Sequence, residues 1–253
     1  MKRAYTIALC DILGFKRLVT SFPLDTVVQK PLSLFRKALC HSIHKKSFPS
    51  EPPSLDKLCD QSQLGVAWFS DTVVLYTLND TDEHVRNLVQ TVGWLLFETM
   101  FMKWTRVRGA IAYGEAYIDP ANSIFVGKPI IQAFELEKDQ VWSGCAFTES
   151  GEVRLQELHE YDAISAAPLS AEQRRVLPAL WLTRYRVPLK NGGVKSLVSI
   201  DWTLGIHDLN FDFPYSEERN VPNDQDWIQH RDVCEKWKNT REFHREMCRF
   251  CNL

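Results

Sequence analysis

Short apolar runs recur along the first part of the chain, separated by stretches of helical periodicity. The first run, residues 5–10, is unalternating and ends at Asp11, which predicts a strand buried on both faces. Two further β-rich runs meet at Ser70-Asp71, which predicts a tight hairpin. The predicted strands cover residues 4–12, 64–69, 72–76, 106–117, 124–127 and 142–148.

Helices are predicted between these strands. A helical turn or two is predicted over residues 15–22, stopped by Pro23, and apolar residues then repeat at helical spacing over residues 24–46, where Pro31 is expected to kink or restart the helix. Further helices are predicted over residues 81–102 and 129–138. The order strand, broken helix, hairpin, helix, strand, helix, strand predicts an α+β fold with a ferredoxin-like βαββαβ core. The first strand and the hairpin then lie side by side, so Asp11 and Asp71 would face each other at one rim.

The pattern weakens beyond residue 150. Residues 171–182 are predicted to be helical, and residues 184–190 and 194–202 to form a hairpin closed by Asn191-Gly192-Gly193. A charged helical tail is expected over residues 224–250. Because no linker separates these elements, the predicted organisation is a core of residues 1–150 with an extension, 151–253, packed on it.

Composition excludes several classes of protein. The net charge of −2 argues against a dedicated nucleic-acid or anionic-membrane binder. The apolar run behind Lys2 and Arg3 is too short for a signal peptide, and no window reaches the roughly 18 apolar residues of a membrane span. Seven scattered cysteines indicate free thiols in the cytoplasm. The pair Cys248 and Cys251, with Cys234 and His244 nearby, is weak evidence for zinc.

Asp11 and Asp71 are the candidate residues of a functional site. A carboxylate at a strand end, beside the amides that open a helix, can hold a divalent cation next to a phosphate. The plain alternatives are that Asp11 caps the first helix and that Asp71 is an ordinary turn aspartate. Two facing carboxylates instead form a site for two divalent cations bound to a triphosphate, with the ions about 3.5–4 Å apart.

Polymerases of the palm type, diguanylate cyclases and nucleotidyl cyclases share that chemistry. The chain lacks the Gly-Gly-Asp/Glu-Glu-Phe signature of a diguanylate cyclase hairpin. It also lacks the fingers and the basic nucleic-acid channel of a polymerase.

Four motifs resemble class III nucleotide cyclases, and together they cover about residues 4–148. Asp11-Ile12-Leu13-Gly14-Phe15 is similar to the first metal motif of that family, Asp-Ile-x-Gly-Phe. Phe69-Ser70-Asp71 stands where the family has Gly-Asp on its hairpin. The other two motifs are the strand from Arg108 to Glu115, similar to Arg-x-Gly-x-x-x-Gly, and Phe125-Val126-Gly127 with its following helix, similar to Trp-Gly and the helix after it.

The departures from the family pattern concern the base and the transition state. The two base-reading positions of purine cyclases hold Ala67, in place of Lys, and Ile124. The helix positions that usually carry an Asn and an Arg hold Ile131 and Glu135. Asp11 and Asp71, the two aspartates expected to bind metal, are both present. The chain therefore resembles either a cyclase that acts on another base or a catalytically silent relative.

The Asp-Ile-Leu-Gly-Phe form, the sequence Phe-Ser-Asp-Thr-Val and the Leu-Glu ending of the helix resemble pyrimidine cyclases of bacterial Pycsar antiphage systems. The resemblance implies conversion of UTP to 3′,5′-cyclic UMP and pyrophosphate, with the product acting on a separate effector. A cytidylate cyclase making cyclic CMP, or a catalytically silent nucleotide-binding regulator, is the alternative. The resemblance to pyrimidine cyclases also implies a homodimer with active sites at the subunit interface and two Mn²⁺ or Mg²⁺ ions per site.

The resemblance further implies roles for individual residues. Asp11, Asp71 and the Ile12 carbonyl would hold the ions, and the amides of Leu13, Gly14 and Phe15 would cradle the β- and γ-phosphates. Trp68 and Arg108 are the candidates for contact with the base, because an indole can stack and a guanidinium offers several donors. Their alternatives are a core tryptophan and a structural salt bridge at the sheet edge.

Overall fold

The computed structural model describes residues 2–44, 63–100, 105–158, 182–203 and 231–251. Its strands are β1 (Lys2–Ile12), β2 (Leu64–Phe69), β3 (Thr72–Thr77), β4 (Val107–Asp119), β5 (Ile124–Gly127), β6 (Cys145–Phe147), β7 (Leu182–Pro188) and β8 (Val194–Ile200). Its α-helices are α1 (Phe15–Ser21), α2 (Leu24–Val27), α3 (Ser33–His44), α4 (Asp82–Met100), α5 (Lys128–Asp139), α6 (Glu149–Glu157) and α7 (Arg231–Cys251).

One sheet contains all eight strands, and β1 lies between β3 and β4. The order is β2-β3-β1-β4-β6-β8-β7, with β5 paired to β4. Strand β1 is antiparallel to both of its neighbours, and among the described strands only the β4–β6 pair is parallel. The predicted α+β class and the ferredoxin-like order of the first four strands are therefore confirmed.

The two faces of the sheet are covered by different helices. On one face, alternate residues of β1 pack with α3 and α4 in the main hydrophobic core, which includes Ala8, Cys10 and Ile12. On the other face, Leu9 packs with Ala110, Ala112 and Ala133, the last of which lies on α5. Because side chains alternate along a strand, Asp11 is on the α5 face.

The helix before the hairpin is interrupted at the expected place. A π-helical segment, Val28–Leu32, contains Pro31 and separates α2 from α3. Proline cannot donate an amide hydrogen bond within a helix, which accounts for the change of pitch. The interruption predicted from the sequence is thus confirmed.

The C-terminal hairpin continues the sheet of the core. Strands β7 and β8 pair along their whole length, and Ala146 of β6 pairs with Ser199 of β8. The predicted hairpin is confirmed, and the division of the chain at residue 150 stays a prediction. The helix predicted at 171–182 falls outside the described residues except for Leu182, which begins β7 instead.

One helix was not predicted. Helix α6 begins directly after β6, and the hydroxyl of Thr148 caps it by accepting from the Gly151 amide at 3.2 Å. The predicted C-terminal helix is observed from Arg231 onward, and the side chains of Cys248 and Cys251 are not among those described. Among the described segments, no helix has the length and apolar character to span a bilayer.

Candidate active site

A row of four side-chain positions crosses the rim of the sheet where β1 ends. Asp11 is paired with Thr72 of β3 on one side and with Arg108 of β4 on the other, and Thr72 is paired in turn with Phe69 of β2. The Thr72 hydroxyl donates to Oδ1 of Asp11 at 3.1 Å. This contact fixes the orientation of the Asp11 carboxylate from the β3 side.

The hairpin turn brings Asp71 to the same rim. Ser70 has φ 57°, a left-handed conformation that closes the tight turn between β2 and β3. The carbonyl of Asp71 accepts a hydrogen bond from the Ile12 amide at 3.0 Å. The structure therefore brings Asp11, Ile12 and Asp71 together, as the sequence predicted.

The environment of Asp11 disfavours its negative charge. Burial raises the pKa of Asp11 from 3.8 to about 6, and the charges of Glu137 and Asp71 add to the increase. The Thr72 hydroxyl and Arg108 act in the opposite direction but do not offset it. A cation placed between Asp11 and Asp71 would relieve this repulsion.

Asp11 does not cap the first helix. The N-cap of α1 is Gly14, which has φ 78° and ψ 13°, and no side chain caps that end. Only glycine adopts this left-handed conformation without steric cost, so Gly14 sets the turn that leads from β1 into α1. The helix-cap interpretation of Asp11 is thus wrong, which leaves its carboxylate available to a ligand.

The loop after Asp11 is only partly as predicted. The Leu13 amide donates to the Arg106 carbonyl at 2.8 Å, so it is already used within the protein. The Phe15 side chain is half-buried and packs against the main core. Of the three amides predicted to hold phosphates, those of Gly14 and Phe15 remain as candidates.

Arg108 is engaged by protein groups on α5. Its Nε donates to Glu137 Oε1 at 2.6 Å, its Nη2 lies 2.5 Å from the same oxygen, and its Nη1 donates to the Gln140 carbonyl at 2.8 Å. Arg108 and Glu137 are 5% and 2% exposed. The geometry supports the salt-bridge alternative rather than base contact, and the pair lies in the interior, not at a sheet edge.

Trp68 also has a structural role. Its indole N–H donates to the Ser70 carbonyl at 2.8 Å, and its ring meets Phe35 of α3 edge to face at 5.3 Å. Trp68 is therefore directed to the face of the sheet opposite Asp11. Contact between Trp68 and a base bound at Asp11 is not supported by this orientation.

Thr72 and Glu137 were missed as site residues. Thr72 directly follows Asp71, and its role depends on the pairing of β3 with β1. Glu137 carried a signal in the sequence, because it follows Pro129 and Ala133 at intervals of four residues on the buried stripe of α5. A carboxylate on an apolar stripe requires a buried partner, and Arg108 is that partner.

The donor set fits a hard divalent cation held jointly with a substrate. Within the described part of the chain, no three His, Cys, Asp or Glu side chains are grouped closely enough to hold a metal ion. Asp11 and Asp71 supply two carboxylates and Ile12 a carbonyl. Mg²⁺ sites that use one or two carboxylates are usually completed by substrate phosphates and water.

Comparisons with known proteins identify neighbours only among solved structures. No protein-family model matches the chain, and no curated protein matches it. The catalytic core of a rhodopsin-guanylyl cyclase with converted specificity, solved with ATPαS, is 10% identical with a TM-score of 0.48. That match covers 79% of this chain and 95% of the other.

Two other matched structures bear similar names. An adenylate/guanylate cyclase/hydrolase from Silicibacter pomeroyi is 14% identical, with a TM-score of 0.43, over 79% of this chain and 98% of the other. The guanylyl cyclase Cya2 is 11% identical, with a TM-score of 0.41, over 62% and 78%. Because all three TM-scores are below 0.5, no residue role is taken from these structures, and the chain is placed only by its own sheet order as an α+β protein with a ferredoxin-like core.

Proposed function

We propose that the protein is a nucleotidyl cyclase that converts a pyrimidine nucleoside triphosphate, UTP before CTP, into its 3′,5′-cyclic monophosphate and pyrophosphate. The observation that carries the proposal is the pair Asp11 and Asp71 at one rim. Within the described residues, neither carboxylate forms an ion pair with a lysine or arginine. Uncompensated carboxylates at a partly open rim are suited to a cation–triphosphate complex.

Different residues at the rim bind the metal ions and the triphosphate. Asp11 and Asp71, with the Ile12 carbonyl, would hold two Mn²⁺ or Mg²⁺ ions, and Thr72 keeps the Asp11 carboxylate oriented. When bound there, the ions supply charge neutralisation of the triphosphate and activation of the attacking hydroxyl. The 3′-hydroxyl of the substrate loses its proton to solvent and its oxygen bonds to the α-phosphorus, while the bond from that phosphorus to the bridging oxygen breaks and pyrophosphate leaves. The amides of Gly14 and Phe15 bind the outer phosphates.

The preference for a pyrimidine rests on what the chain lacks. Ala67 and Ile124 occupy the positions that carry the purine-reading pair in the family that the sequence resembles. Ile124 is 41% exposed on β5, so it offers an apolar surface and no hydrogen-bond donor to a purine. We favour UTP because cyclic UMP is the commoner product of the pyrimidine cyclases that the sequence resembles.

An apolar surface supports the proposed homodimer. Tyr117 of β4 pairs with Val126 of β5, and these side chains are 42% and 63% exposed. Ile131 and Phe134, one turn apart on α5, are 57% and 44% exposed. Exposed apolar side chains on neighbouring elements mark protein interfaces, and here the occupant is a second copy. The Val126→Asp variant should then shift the protein to a monomer in light scattering.

The biological role is proposed on the resemblance alone. The enzyme would act in the cytoplasm, and its cyclic product would activate a separate effector in antiphage defence. Nucleic acid is not expected as a partner, since the net charge is −2.

The decisive experiment is incubation with each of the four ribonucleoside triphosphates and Mn²⁺, followed by mass spectrometry. Cyclic UMP or cyclic CMP is the expected product. The Asp71→Asn variant should make none, whereas Asp25→Asn, at an exposed position on α2, should retain activity. Cyclic AMP or cyclic GMP would contradict the pyrimidine assignment. Binding of a triphosphate without turnover would favour the silent regulator.

A further inference from the structure

The C-terminal helix α7 makes several contacts with the segment that supports the Asp11 loop. That segment is the entrance of β4, where Val107 pairs with Ile12 and the Arg106 carbonyl accepts from the Leu13 amide at 2.8 Å. The backbone that carries the Ile12 carbonyl is therefore held from two sides, by Asp71 and by residues 106 and 107.

The first contact joins α7 to Arg106. The guanidinium carbon of Arg106 lies 4.3 Å from the centroid of the Trp237 ring, within the range of a cation–π interaction. Trp237 is 4% exposed, so the interaction is shielded from water. Arg106 thus contacts both elements: its carbonyl accepts from the loop after Asp11, and its side chain packs on α7.

The second contact is one helical turn further along α7. The Thr240 hydroxyl accepts from the Ser143 amide at 2.8 Å, and the Ser143 hydroxyl donates to the Val107 carbonyl at 2.8 Å. Thr240 and Ser143 are 2% and 1% exposed. The Thr240 hydroxyl also donates to the Lys236 carbonyl at 2.7 Å, which holds its oxygen in place to accept from Ser143.

Further along α7, Phe243 belongs to a cluster of aromatic rings whose link to the rim is indirect: the Trp142 indole N–H donates to Gln140 Oε1, and the Gln140 carbonyl accepts from Arg108. Phe243 packs against Trp142, Tyr185 and Trp202, with ring centroids 4.9, 4.8 and 5.7 Å apart. These rings anchor the helix to the β7–β8 hairpin. Contacts on α7 can therefore be separated into those that fasten the helix and those that reach residues 106 and 107.

We infer that Trp237 and Thr240 are positioning residues, which act through Arg106 and Val107 to hold the loop after Asp11 in the geometry that binds the cation and the triphosphate. This inference rests on the proposed function for its catalytic consequence. The coupling itself is a property of the protein without substrate. The C-terminal helix, far from Asp11 in sequence, then forms part of the support of the active site.

The test compares Trp237→Leu, Thr240→Val and Phe243→Leu in the full chain. Hydrogen exchange is measured on the peptide that contains Leu13, whose amide is bonded to Arg106, and the melting temperature is measured for each variant. Trp237→Leu and Thr240→Val should speed exchange of that peptide about ten-fold, the size expected for loss of a shielded contact. Phe243→Leu should lower the melting temperature without this local effect.

Kinetic measurements supply the second readout. Trp237→Leu should raise the Mn²⁺ concentration for half-maximal turnover about ten-fold and should also raise KM for the triphosphate, because the same loop binds both. Trp237→Phe keeps an aromatic face for Arg106 and should restore both readouts.

Equal exchange at Leu13 in Trp237→Leu and Phe243→Leu would overturn the inference, because α7 would then only stabilise the fold. Absence of turnover in the unaltered protein would instead refute the proposed function. Exchange requires no turnover, so the two failures are distinguishable.

Discussion

Two clusters, each made of one arginine and three carboxylates, lie near opposite ends of the central strands β1 and β3. At the rim the arginine is Arg108, and at the far end, beyond β3, it is Arg154 of α6. The carboxylates at the rim belong to Asp11, Asp71 and Glu137, and those at the far end to Asp80, Asp82 and Glu157.

The clusters differ in how the arginine is shared. Arg154 bonds all three of its carboxylates, at 3.2 Å to Asp80, 3.0 Å to Asp82 and 3.2 Å to Glu157. Those partners are 36–57% exposed and remain hydrated. At the rim, Arg108 forms its ion pair with the buried Glu137 and also donates to the Gln140 carbonyl. Both clusters have the same balance of charge, but all three carboxylates of the far cluster bond the arginine, whereas within the described residues Asp11 and Asp71 form no ion pair and can accept a cation.

Replacement of a carboxylate should show the largest difference between the clusters. Asp11→Asn should lower turnover by about 10³-fold, equal to about 4 kcal/mol, because the cation loses a charged ligand. Asp80→Asn removes a carboxylate of the far cluster and should leave turnover within about two-fold. Product formation from UTP, with circular dichroism as the check on folding, measures both. Similar losses in the two variants would contradict the assignment.

Replacement of the arginine should lower the free energy of unfolding more at the rim than at the far cluster. Arg108→Met leaves the buried Glu137 charge without its partner and should cost about 3–5 kcal/mol of unfolding free energy. Arg154→Met should cost about 1–2 kcal/mol, since its partners can be hydrated. Urea denaturation gives both values. The double variant Arg108→Met, Glu137→Leu should recover most of the loss, and no recovery would indicate that Glu137 is not the stranded charge.

The unfavourable environment of the Asp11 carboxylate should make the stability of the folded protein depend on pH. Its folded pKa of about 6 lies above the ordinary value of 3.8, so the folded state holds this proton more tightly than the unfolded state. Stability of the metal-free protein should therefore fall as pH rises from about 4 to about 6, by about 1–2 kcal/mol after allowance for solvent screening. Asp11→Asn should lack this decrease in urea denaturation series at each pH. Saturating Mn²⁺, which binds the carboxylate form, should reverse it.

The smallest effect is expected at Tyr113. Its hydroxyl donates to Asp80 Oδ2 at 2.6 Å, and burial, together with this bond, raises the Tyr113 pKa from 10.0 to about 12. Tyr113→Phe should cost about 0.5–1 kcal/mol and leave turnover unchanged, because the site is only part-buried and lies outside the rim. The ultraviolet absorbance of tyrosinate, followed against pH, should lose one late-titrating group in the variant.

Much of the architecture could be predicted from local patterns. The unalternating run before Asp11, the hairpin at Ser70-Asp71 and the interruption at Pro31 each depend on residues that are neighbours in sequence. Strand order then followed from the succession of elements, and with it the meeting of Asp11 and Asp71. Helix α6 was missed because its short sequence has few apolar positions to reveal a helical period.

The roles of individual side chains were less predictable. Arg108 was a candidate for base contact until its partners, Glu137 and Gln140, were placed beside it from a helix about 30 residues away. Trp68 was a candidate for stacking until the sheet directed it toward Phe35. In both cases the residue type permits two roles, and only its neighbours distinguish them.

The sequence by itself determined the order of strands and helices from β1 to β6 and the positions of two acidic residues at strand ends, because side-chain periodicity and turn chemistry are local properties. The tertiary structure decided that Gly14 rather than Asp11 caps the first helix and that Glu137 occupies Arg108. It also decided that α7 supports the loop at Leu13. These outcomes depend on long-range contacts and on competition between charges for one partner, which no local pattern contains.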